Sequence, residues 1–256
     1  MRQYTVFLKK EMLEFTRTYR LLILFAVFMI IGIMDPLTAK LMPYLLENFM
    51  PDGMAVSIPD PAAIDSWTQF YKNVPQMGLI VVVLLFAGIV SSEYTNSTLV
   101  NMLTKGLRPH TIMLSKVTVS LAMWTGAYWC CFLITYGYTE YYWDQSECSN
   151  IFFAALCLWL FGVVVVTGVT AASSFFKNFY GSLIVIGMVT AVMYMISLAP
   201  AARKYDPLSL ATKNMDLLNG TAVPADLRWS MIIAVLLSIA FVLLAAAGIK
   251  YMKKKL

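Results

Sequence analysis

Residues 73–92 read NVPQMGLIVVVLLFAGIVSS, a run of 20 residues without a charged side chain between Lys72 and Glu93. An α-helix rises about 1.5 Å per residue, so about 20 apolar residues cross the roughly 30 Å hydrocarbon core of a bilayer. The string VVVLLF is β-branched in part, but an open strand would leave its backbone groups unpaired in lipid. The stretch therefore predicts a transmembrane helix.

Four further stretches have the same character. The intervals Lys116–Glu140, Glu147–Lys177, Lys177–Arg203 and Arg228–Lys250 enclose 23, 29, 25 and 21 uncharged residues. Over the whole chain 60% of residues are apolar and 13% are charged, whereas soluble domains have about 45–50% and about 25%. The composition excludes disordered, collagen-like, coiled-coil and disulfide-scaffold proteins. It predicts an all-α polytopic membrane protein with one domain over residues 1–256.

The first span is less regular, because Arg20 and Asp35 enclose only 14 uncharged residues. The helix can begin near Thr16, with its arginines reaching out to the membrane surface, and end at Asp35. Alternatively, it can kink at Pro36 and continue through LTAKLMPYLL. We favour the first interpretation, which makes residues 36–75 a long outer loop. Either way, the chain has six predicted spans.

Charged residues divide unequally between the two sides of the membrane. If the N-terminus is cytoplasmic, the cytoplasmic segments hold 13 of the 19 basic residues and 3 of the 14 acidic ones. Lysine and arginine favour the cytoplasmic side, so the pattern predicts a multi-pass protein with both termini in the cytoplasm. The net charge of +5 is then explained by insertion and does not indicate binding to nucleic acid.

The N-terminal segment, residues 1–19, is predicted to be an amphipathic helix lying in the inner membrane interface. Its charged residues fall elsewhere around the helix from an apolar set at three- and four-residue spacing. That set is Tyr4, Leu8, Met12, Phe15 and Tyr19.

Two loops also carry a pattern. Residues 91–112 are predicted to form a cytoplasmic loop whose stretch TNSTLVNMLTKG is helical, with an apolar ridge at Leu99, Met102 and Leu103. Such a ridge has to dock, either on the membrane domain itself or on a partner. Residues 200–227 mix apolar and polar residues and predict an outer segment that dips partly into the membrane.

The motifs of several enzyme classes are absent from the sequence. There is no GxxxxGK[ST] loop, GxSxG elbow or HExxH helix. No pair of histidines or cysteines has metal-ligand spacing, and His110 is expected to be a solvated surface residue. We therefore expect no catalytic, cofactor or metal site in the chain. We also expect no ionisable residue near the middle of a span, which weighs against proton-coupled carriers and pumps.

The order of these features resembles permeases of the ABC-2 type. The loop after span two reads Glu93-Tyr94-Thr95-Asn96-Ser97-Thr98-Leu99, followed by basic residues that lead into span three. Permeases of this family typically have an acidic residue, a Gly- or Asn-Thr-Leu stretch and then a basic residue that leads into span three. The opening MRQYTVFLKKEMLEFTRTYR and the segment IMDPLTAKLMPYLL at 33–46 also resemble the family. The resemblance covers essentially the whole chain, but none of its motifs is highly specific.

The resemblance implies the transmembrane subunit of an ATP-driven exporter in the bacterial cell membrane. Two permeases, identical or sister chains, would pair with two cytoplasmic ATPase subunits, which would bind the ATP and Mg²⁺. The loop would be a coupling helix on the ATPase, flanked by the N-terminal elbow helix. The implied ATPase contacts are Glu93, Thr95, Asn96, Leu99, Leu103, Lys105 and Arg108, with secondary contacts from Lys10, Glu14 and Arg17.

The cargo is left open by the sequence. Spans rich in Met and aromatic residues suit hydrophobic or amphipathic cargo such as a peptide, an antimicrobial compound or a lipid. The same residues also suit helix packing and contact with lipid. Three other functions remain as alternatives: a membrane scaffold or assembly protein outside the ABC class, a passive channel or carrier, and a membrane-embedded enzyme. ATP-independent flux driven by an ion gradient would indicate a carrier.

Overall fold

The computed structural model describes residues 2–49, 60–95, 98, 102, 104, 107–176, 178–199 and 203–253, and these residues form helices and turns without a strand. Six helical stretches are long and apolar enough to cross a membrane. We number them spans 1 to 6: Arg20–Tyr44, Ala63–Thr95, Pro109–Tyr142, Ile151–Phe175, Phe179–Ser197 and Pro224–Tyr251. The chain is an all-α polytopic membrane protein, as its composition predicts.

The helices follow the uncharged stretches of the sequence. In chain order they are α1 (Arg2–Arg17), α2 (Arg20–Phe49), α3 (Ala63–Asn73), α4 (Leu79–Phe86), α5 (Ser91–Thr95), α6 (Pro109–Tyr142), α7 (Ile151–Phe175), α8 (Phe179–Ser197), α9 (Ser209–Thr212), α10 (Asn214–Leu218) and α11 (Arg228–Lys253). A π-helical turn, Val74–Gly78, joins α3 to α4 within span 2. Short 3₁₀ turns occupy Arg203–Tyr205 and Pro224–Leu227.

Successive spans run antiparallel. Span 3 meets span 4 where the hydroxyl of Tyr128 donates to the carbonyl of Ala155 at 2.7 Å. A turn earlier on span 3, Trp124 lies so close to Gly162 that a Cβ on this glycine would be 2.0 Å from the indole ring. Six crossings bring both termini, α5 and the start of α6 to one end of the bundle, which we call the basic end. The opposite end is the far end.

Span 1 continues through Pro36, so the interpretation that ends it at Asp35-Pro36 is wrong: α2 runs without a break from Arg20 to Phe49. A proline inside a helix leaves the carbonyl four residues earlier without its usual donor. Here that carbonyl belongs to Gly32, and the hydroxyl of Thr135 on span 3 donates to it at 3.2 Å. A neighbouring span therefore supplies the hydrogen bond that Pro36 removes.

Because α2 is longer, Asp35 lies inside span 1 and not at its end, which corrects the expectation that no ionisable residue lies near the middle of a span. Its side chain is fully buried, and Oδ1 accepts a hydrogen bond of 2.7 Å from the amide of Asn73. Its other oxygen, Oδ2, has no hydrogen-bond partner. The residue sits beside the π-helical turn that begins at Val74.

The loop boundaries change in the same way. The predicted outer loop 36–75 is helical at both ends, where α2 continues to Phe49 and α3 begins at Ala63. The predicted loop 91–112 is shorter, because α5 extends span 2 to Thr95 and α6 begins at Pro109.

The described part of the predicted outer segment, residues 203–227, folds onto the far end of the bundle. Its short helices α9 and α10 pack against α7, with Leu210, Leu217 and Leu218 buried. The amide of Ser149 donates to the carbonyl of Leu218 at 2.9 Å and joins the segment to the start of span 4. The segment is therefore a folded cap built from short helical turns.

We expect Thr135→Val to lower the free energy of unfolding by about 1–3 kcal/mol, the cost of leaving a buried carbonyl unpaired. Denaturant or thermal unfolding in detergent micelles measures this change. In a Pro36→Ala background the restored backbone N–H can bond Gly32, so the same Thr135→Val change should cost less. An equal cost in both backgrounds would show that Thr135 does not compensate for the proline.

Candidate docking site around a buried charge cluster

Helix α1 packs against the start of span 3. Its buried side chains are Phe7, Glu11 and Phe15, which recur every four residues along one face. Of the apolar set predicted from the sequence, Phe15 lies on this face, whereas Met12 and Tyr19 are exposed. The difference arises because the acidic Glu11 is on the buried face, where a basic residue neutralises it.

That basic residue is Lys116, whose side chain is fully buried. Its Nζ lies 2.8 Å from Oε2 of Glu11 and 3.0 Å from Oε1 of Glu93. Lys10 binds the same group from the outside, with Nζ at 2.9 Å from Glu11, 2.7 Å from Glu14 and 2.8 Å from Glu93. We call these five residues the charge cluster. It joins α1 to the end of span 2 and to the start of span 3.

Two of the elements that carry the cluster are fixed independently. Pro109 stands in the first turn of α6, where its missing N–H has no helical partner to lose. On span 2, the backbone amides of Val90 and Ser91 both donate to the hydroxyl of Ser173 on span 4, at 3.0 and 3.1 Å. Glu93 is therefore held in place by span 4 as well as by the lysines.

The contribution of the charge cluster to stability depends on whether each of its charged side chains keeps its partner. A buried ion pair contributes little net stability, but removing one partner leaves a buried charge uncompensated, which costs about 3–5 kcal/mol. Burial lowers the pKa of Lys10, but the charges and hydrogen bonds of Glu93 and Glu14 outweigh this effect and raise it above its usual range. One oxygen, Oε2 of Glu93, has no hydrogen-bond partner.

The three carboxylates are close enough to bind a metal ion, since ligand atoms of Glu11, Glu14 and Glu93 lie within 4.8 Å of one another. The ammonium groups of Lys10 and Lys116 already lie within 3.0 Å of these oxygens. They supply the positive charge that a divalent cation would bring. The arrangement therefore favours an ion-pair network over a metal site.

The structure places the predicted contact residues in different environments. Glu93 is 4% exposed and paired within the chain, so it is poorly placed to contact another protein directly. Thr95 ends α5, and its hydroxyl donates to the carbonyl of Ser91 at 3.1 Å. Arg108 is exposed just before α6. The other four predicted contacts lie outside the described residues: Asn96, Leu99, Leu103 and Lys105.

The predicted secondary contacts lie on the outer side of the cluster. Lys10 and Glu14 are partly exposed while they pair with each other, and Arg17 is exposed at the end of α1. Together with Arg108 they form a charged surface at the basic end. The charge cluster joins the α1 part of this surface to spans 2 and 3.

The sequence pattern does not predict the buried ion pair between Glu11 and Lys116. The uncharged intervals predict Lys116 as a boundary charge of span 3, although it follows the apolar residues Ile112 and Met113 and precedes Val117. One feature of the sequence does indicate this burial: Lys116 lies one to two turns inside a predicted helix. Such a residue either reaches the surface or requires an acidic partner.

We expect acid to loosen α1 from the bundle. Burial raises the pKa of Glu14, but the hydrogen bond from Lys10 and the charges of Lys116, Lys10 and Arg20 lower it below the ordinary value of 4.5. Its stabilisation is therefore present above pH 4.5 and is lost as the pH falls through the lower, folded-state pKa. Hydrogen exchange of the α1 amides, corrected for the intrinsic rate, should rise several-fold over that range.

The variant Glu14→Gln is the control for this measurement. It lacks the titrating carboxyl, so its α1 amides should exchange faster at neutral pH and show a weaker acid response. Exchange in the original protein that stays constant well below pH 4.5 would contradict the role given to Glu14.

Two surfaces in the membrane region are also open. A groove of about 980 Å³ lies between spans 2 and 5, with Leu79 and Val83 on one wall and Ile186 and Thr190 on the other. Span 5 itself is largely exposed, because only 11% of the residues in its most apolar stretch are buried by the rest of the chain. Its side therefore faces lipid or another protein.

Comparison with known proteins gives one informative relative. The chain is 23% identical to the uncharacterized transmembrane protein YxlG of Bacillus subtilis (strain 168) over 233 residues, which cover 90% of each chain. No family model and no solved structure matches the chain. The chain is a multi-pass membrane protein with six spans.

Proposed function

We propose that this chain is the transmembrane subunit of an ATP-driven exporter of the ABC-2 type, located in the bacterial cell membrane with the basic end in the cytoplasm. Two permeases, as copies or sister chains, would assemble with two ATPase subunits that bind ATP and Mg²⁺. The ATPase would hydrolyse ATP, and the permease would alternate between inward- and outward-facing states.

The observation that carries this proposal is the charge cluster. An ATPase that pushes on a membrane subunit needs a contact surface that transmits force to the spans. Through Lys116, Glu11 and Glu93, helix α1 is joined to the ends of spans 2 and 3 by contacts of 2.8 to 3.0 Å. Displacement of the surface at Arg17 and Arg108 would therefore move both spans together.

The exposed surface of span 5 supports the proposal that a second permease packs against this chain. A helix that contacts few neighbours in its own chain gains packing from another protein in the membrane. The groove between spans 2 and 5 borders the same side, and its walls are mostly apolar. Two copies facing each other there would enclose a path suited to hydrophobic or amphipathic cargo.

One observation favours a second candidate, an ion-coupled carrier. Asp35 is a buried carboxylic acid within span 1 and has an unpartnered oxygen. Ionisable residues at membrane depth are typical of proton and ion relays. In that case flux would follow an ion gradient without nucleotide, and Asp35→Asn would abolish it. In the exporter, Asp35→Asn would leave ATP-dependent transport in place.

The experiment is purification of the tagged chain from native membranes in mild detergent, followed by mass spectrometry of the bound proteins. We expect a stoichiometric soluble protein with a GxxxxGK[ST] nucleotide-binding loop. A chain that purifies only with itself, in several detergents and with nucleotide present, would overturn the exporter and leave the carrier, channel or scaffold. Proteoliposome flux with and without ATP would then separate the carrier from the others.

A further inference from the structure

The groove between spans 2 and 5 is deeper than an ordinary lipid-facing surface. Its volume of about 980 Å³ is at the upper end of the roughly 300–1,000 Å³ range of small-molecule sites. Phe161 and Val165 of span 4 lie behind it, and Leu208 and Ala211 of the folded cap line its far-end mouth. All of these elements belong to one chain, so a single copy forms the groove.

A glycine on span 5 leaves part of this space open. Gly187 stands within α8, although glycine is one of the poorest helix-forming residues. A Cβ on Gly187 would meet no atom of the described residues within 4 Å, so the glycine does not serve a close contact there. Gly187 and Ala191, one turn later, both line the groove. Their small size leaves room on this wall for another molecule.

The groove has about the depth of one leaflet of a bilayer. Its lining extends from Lys72 to Leu84 on span 2 and from Leu183 to Met195 on span 5. Twelve helical steps rise about 18 Å, and half of the hydrocarbon core is about 15 Å thick. An acyl chain from the leaflet at the far end therefore matches the groove in length.

The far-end mouth of the groove carries a positive charge. Lys72 is the charged residue among the described residues of the lining, and its side chain is exposed. It forms no ion pair within the part of the chain that the structure describes. The exposed side chains of Gln76 and Thr212 add hydrogen-bonding groups to the lining. The nearest carboxylate in sequence, Asp65, accepts a hydrogen bond from the backbone amide of Ala62 at 2.9 Å.

We propose that this groove selectively binds an anionic phospholipid of the leaflet at the far end. The phosphate lies beside Lys72, and one acyl chain lies between spans 2 and 5. Lipid tails are as apolar as the walls, so apolar transfer alone does not favour the groove over the bulk bilayer. The selectivity comes from the attraction between a basic residue near the membrane surface and anionic lipid. A zwitterionic lipid is attracted less, because its own ammonium group offsets its phosphate.

This proposal does not rest on the proposed exporter function, because binding needs neither ATP nor an ATPase. Failure of the lipid test would leave the exporter proposal unaffected. Absence of an ATPase partner would likewise leave the lipid site unaffected.

The experiment places the full chain in phosphatidylcholine nanodiscs that contain a small fraction of a phospholipid with a photoreactive diazirine in its acyl chain. The probe is phosphatidylglycerol or, for comparison, phosphatidylcholine with the same chains. Mass spectrometry measures the crosslink yield at Val83 and Ile186 in the groove, relative to Leu236, an exposed residue of span 6 outside it. This internal reference removes the contribution of lipid attracted to the basic end.

We expect this relative yield to be about fivefold higher for phosphatidylglycerol, the preference that one basic residue near the surface supplies. Equal relative yields for the two probes would overturn the proposed selectivity. Crosslinks that avoid the groove with both probes would show that another molecule, such as a second copy of the chain, fills it, and would also overturn the proposal.

Lys72→Met is the decisive variant, since it removes the charge from an exposed side chain. We expect the relative yield with phosphatidylglycerol to fall to that with phosphatidylcholine. The matched control is Lys204→Met, which neutralises an exposed lysine at the far end that does not line the groove. This control should keep the preference of the original protein. Equal relative yields in the two variants would overturn the role of Lys72.

A further variant tests the groove without changing its charge. Gly187→Leu places a side chain in the open space on the span 5 wall, so its thermal midpoint should not fall. The relative yield of phosphatidylglycerol crosslinks in the groove should fall several-fold because the acyl chain is displaced. An undiminished yield would place the acyl chain elsewhere and contradict the proposal.

Discussion

Replacing Lys116 with methionine should lower the free energy of unfolding by about 3–5 kcal/mol, the largest stability loss we expect from a single change in this chain. Methionine keeps much of the volume of the buried side chain but removes its charge. Glu11 and Glu93 would then lose their contacts at 2.8 and 3.0 Å and compete for Lys10 alone. Unfolding in detergent micelles, followed by tryptophan fluorescence or thermal midpoint, measures the change.

The matched control for this prediction is Lys9→Met. Lys9 lies on the same end of the protein, is exposed and has no ion pair within the described residues. Its replacement should change stability by less than about 0.5 kcal/mol. Adding Glu11→Gln to Lys116→Met should recover part of the loss, because it removes one of the unpaired charges. A stability of Lys116→Met equal to that of Lys9→Met would contradict the buried cluster.

The second large effect is expected on the coupling between the permease and its proposed ATPase. If the apolar ridge of the loop docks on an ATPase, Leu103→Asp should weaken co-purification of that subunit at least tenfold and abolish its stimulation by the permease. A carboxylate buried in an apolar interface costs several kcal/mol, and each 1.4 kcal/mol corresponds to about a factor of ten in affinity. Leu99→Asp should have the same effect. Both leucines lie outside the described residues, so this prediction rests on the sequence pattern.

The thermal midpoint of Leu103→Asp should match that of the original protein, which separates a docking defect from unfolding. His110→Asp, an exposed change at the same end, serves as the control and should retain the ATPase. Survival of ATP-dependent transport in both leucine variants would show that the loop is not the docking element.

The spans could be predicted from the sequence because charge is expensive in lipid and uncharged runs are therefore long. The same rule explains the errors. A charged residue at the end of an uncharged run is predicted to face water, and this applies to Glu93 and Lys116. In the structure both are buried in helices, where they neutralise each other. Pairing between residues so far apart in sequence leaves no mark on local hydropathy. The amphipathic pattern of α1 likewise excluded Glu11 from the buried face.

The continuation of span 1 was hidden for a related reason. A proline after an aspartate normally predicts the end of a helix. The hydroxyl that satisfies the carbonyl freed by Pro36 comes from Thr135, which lies 103 residues away along the chain. One oxygen of Asp35, in turn, accepts a hydrogen bond from Asn73 on the next span. Neither partner can be assigned from one sequence, because many threonines and asparagines are available.

The central claim is that the surface held by the charge cluster contacts an ATPase, and photo-crosslinking in living cells tests it most directly. A photoreactive amino acid is placed at Arg17 or Arg108, both exposed at the basic end, and at Tyr141, which is 81% exposed at the far end. We predict a crosslinked partner with a nucleotide-binding loop from Arg17 and Arg108 and none from Tyr141. Absence of that partner from both basic-end positions, or its equal capture from Tyr141, would contradict the account.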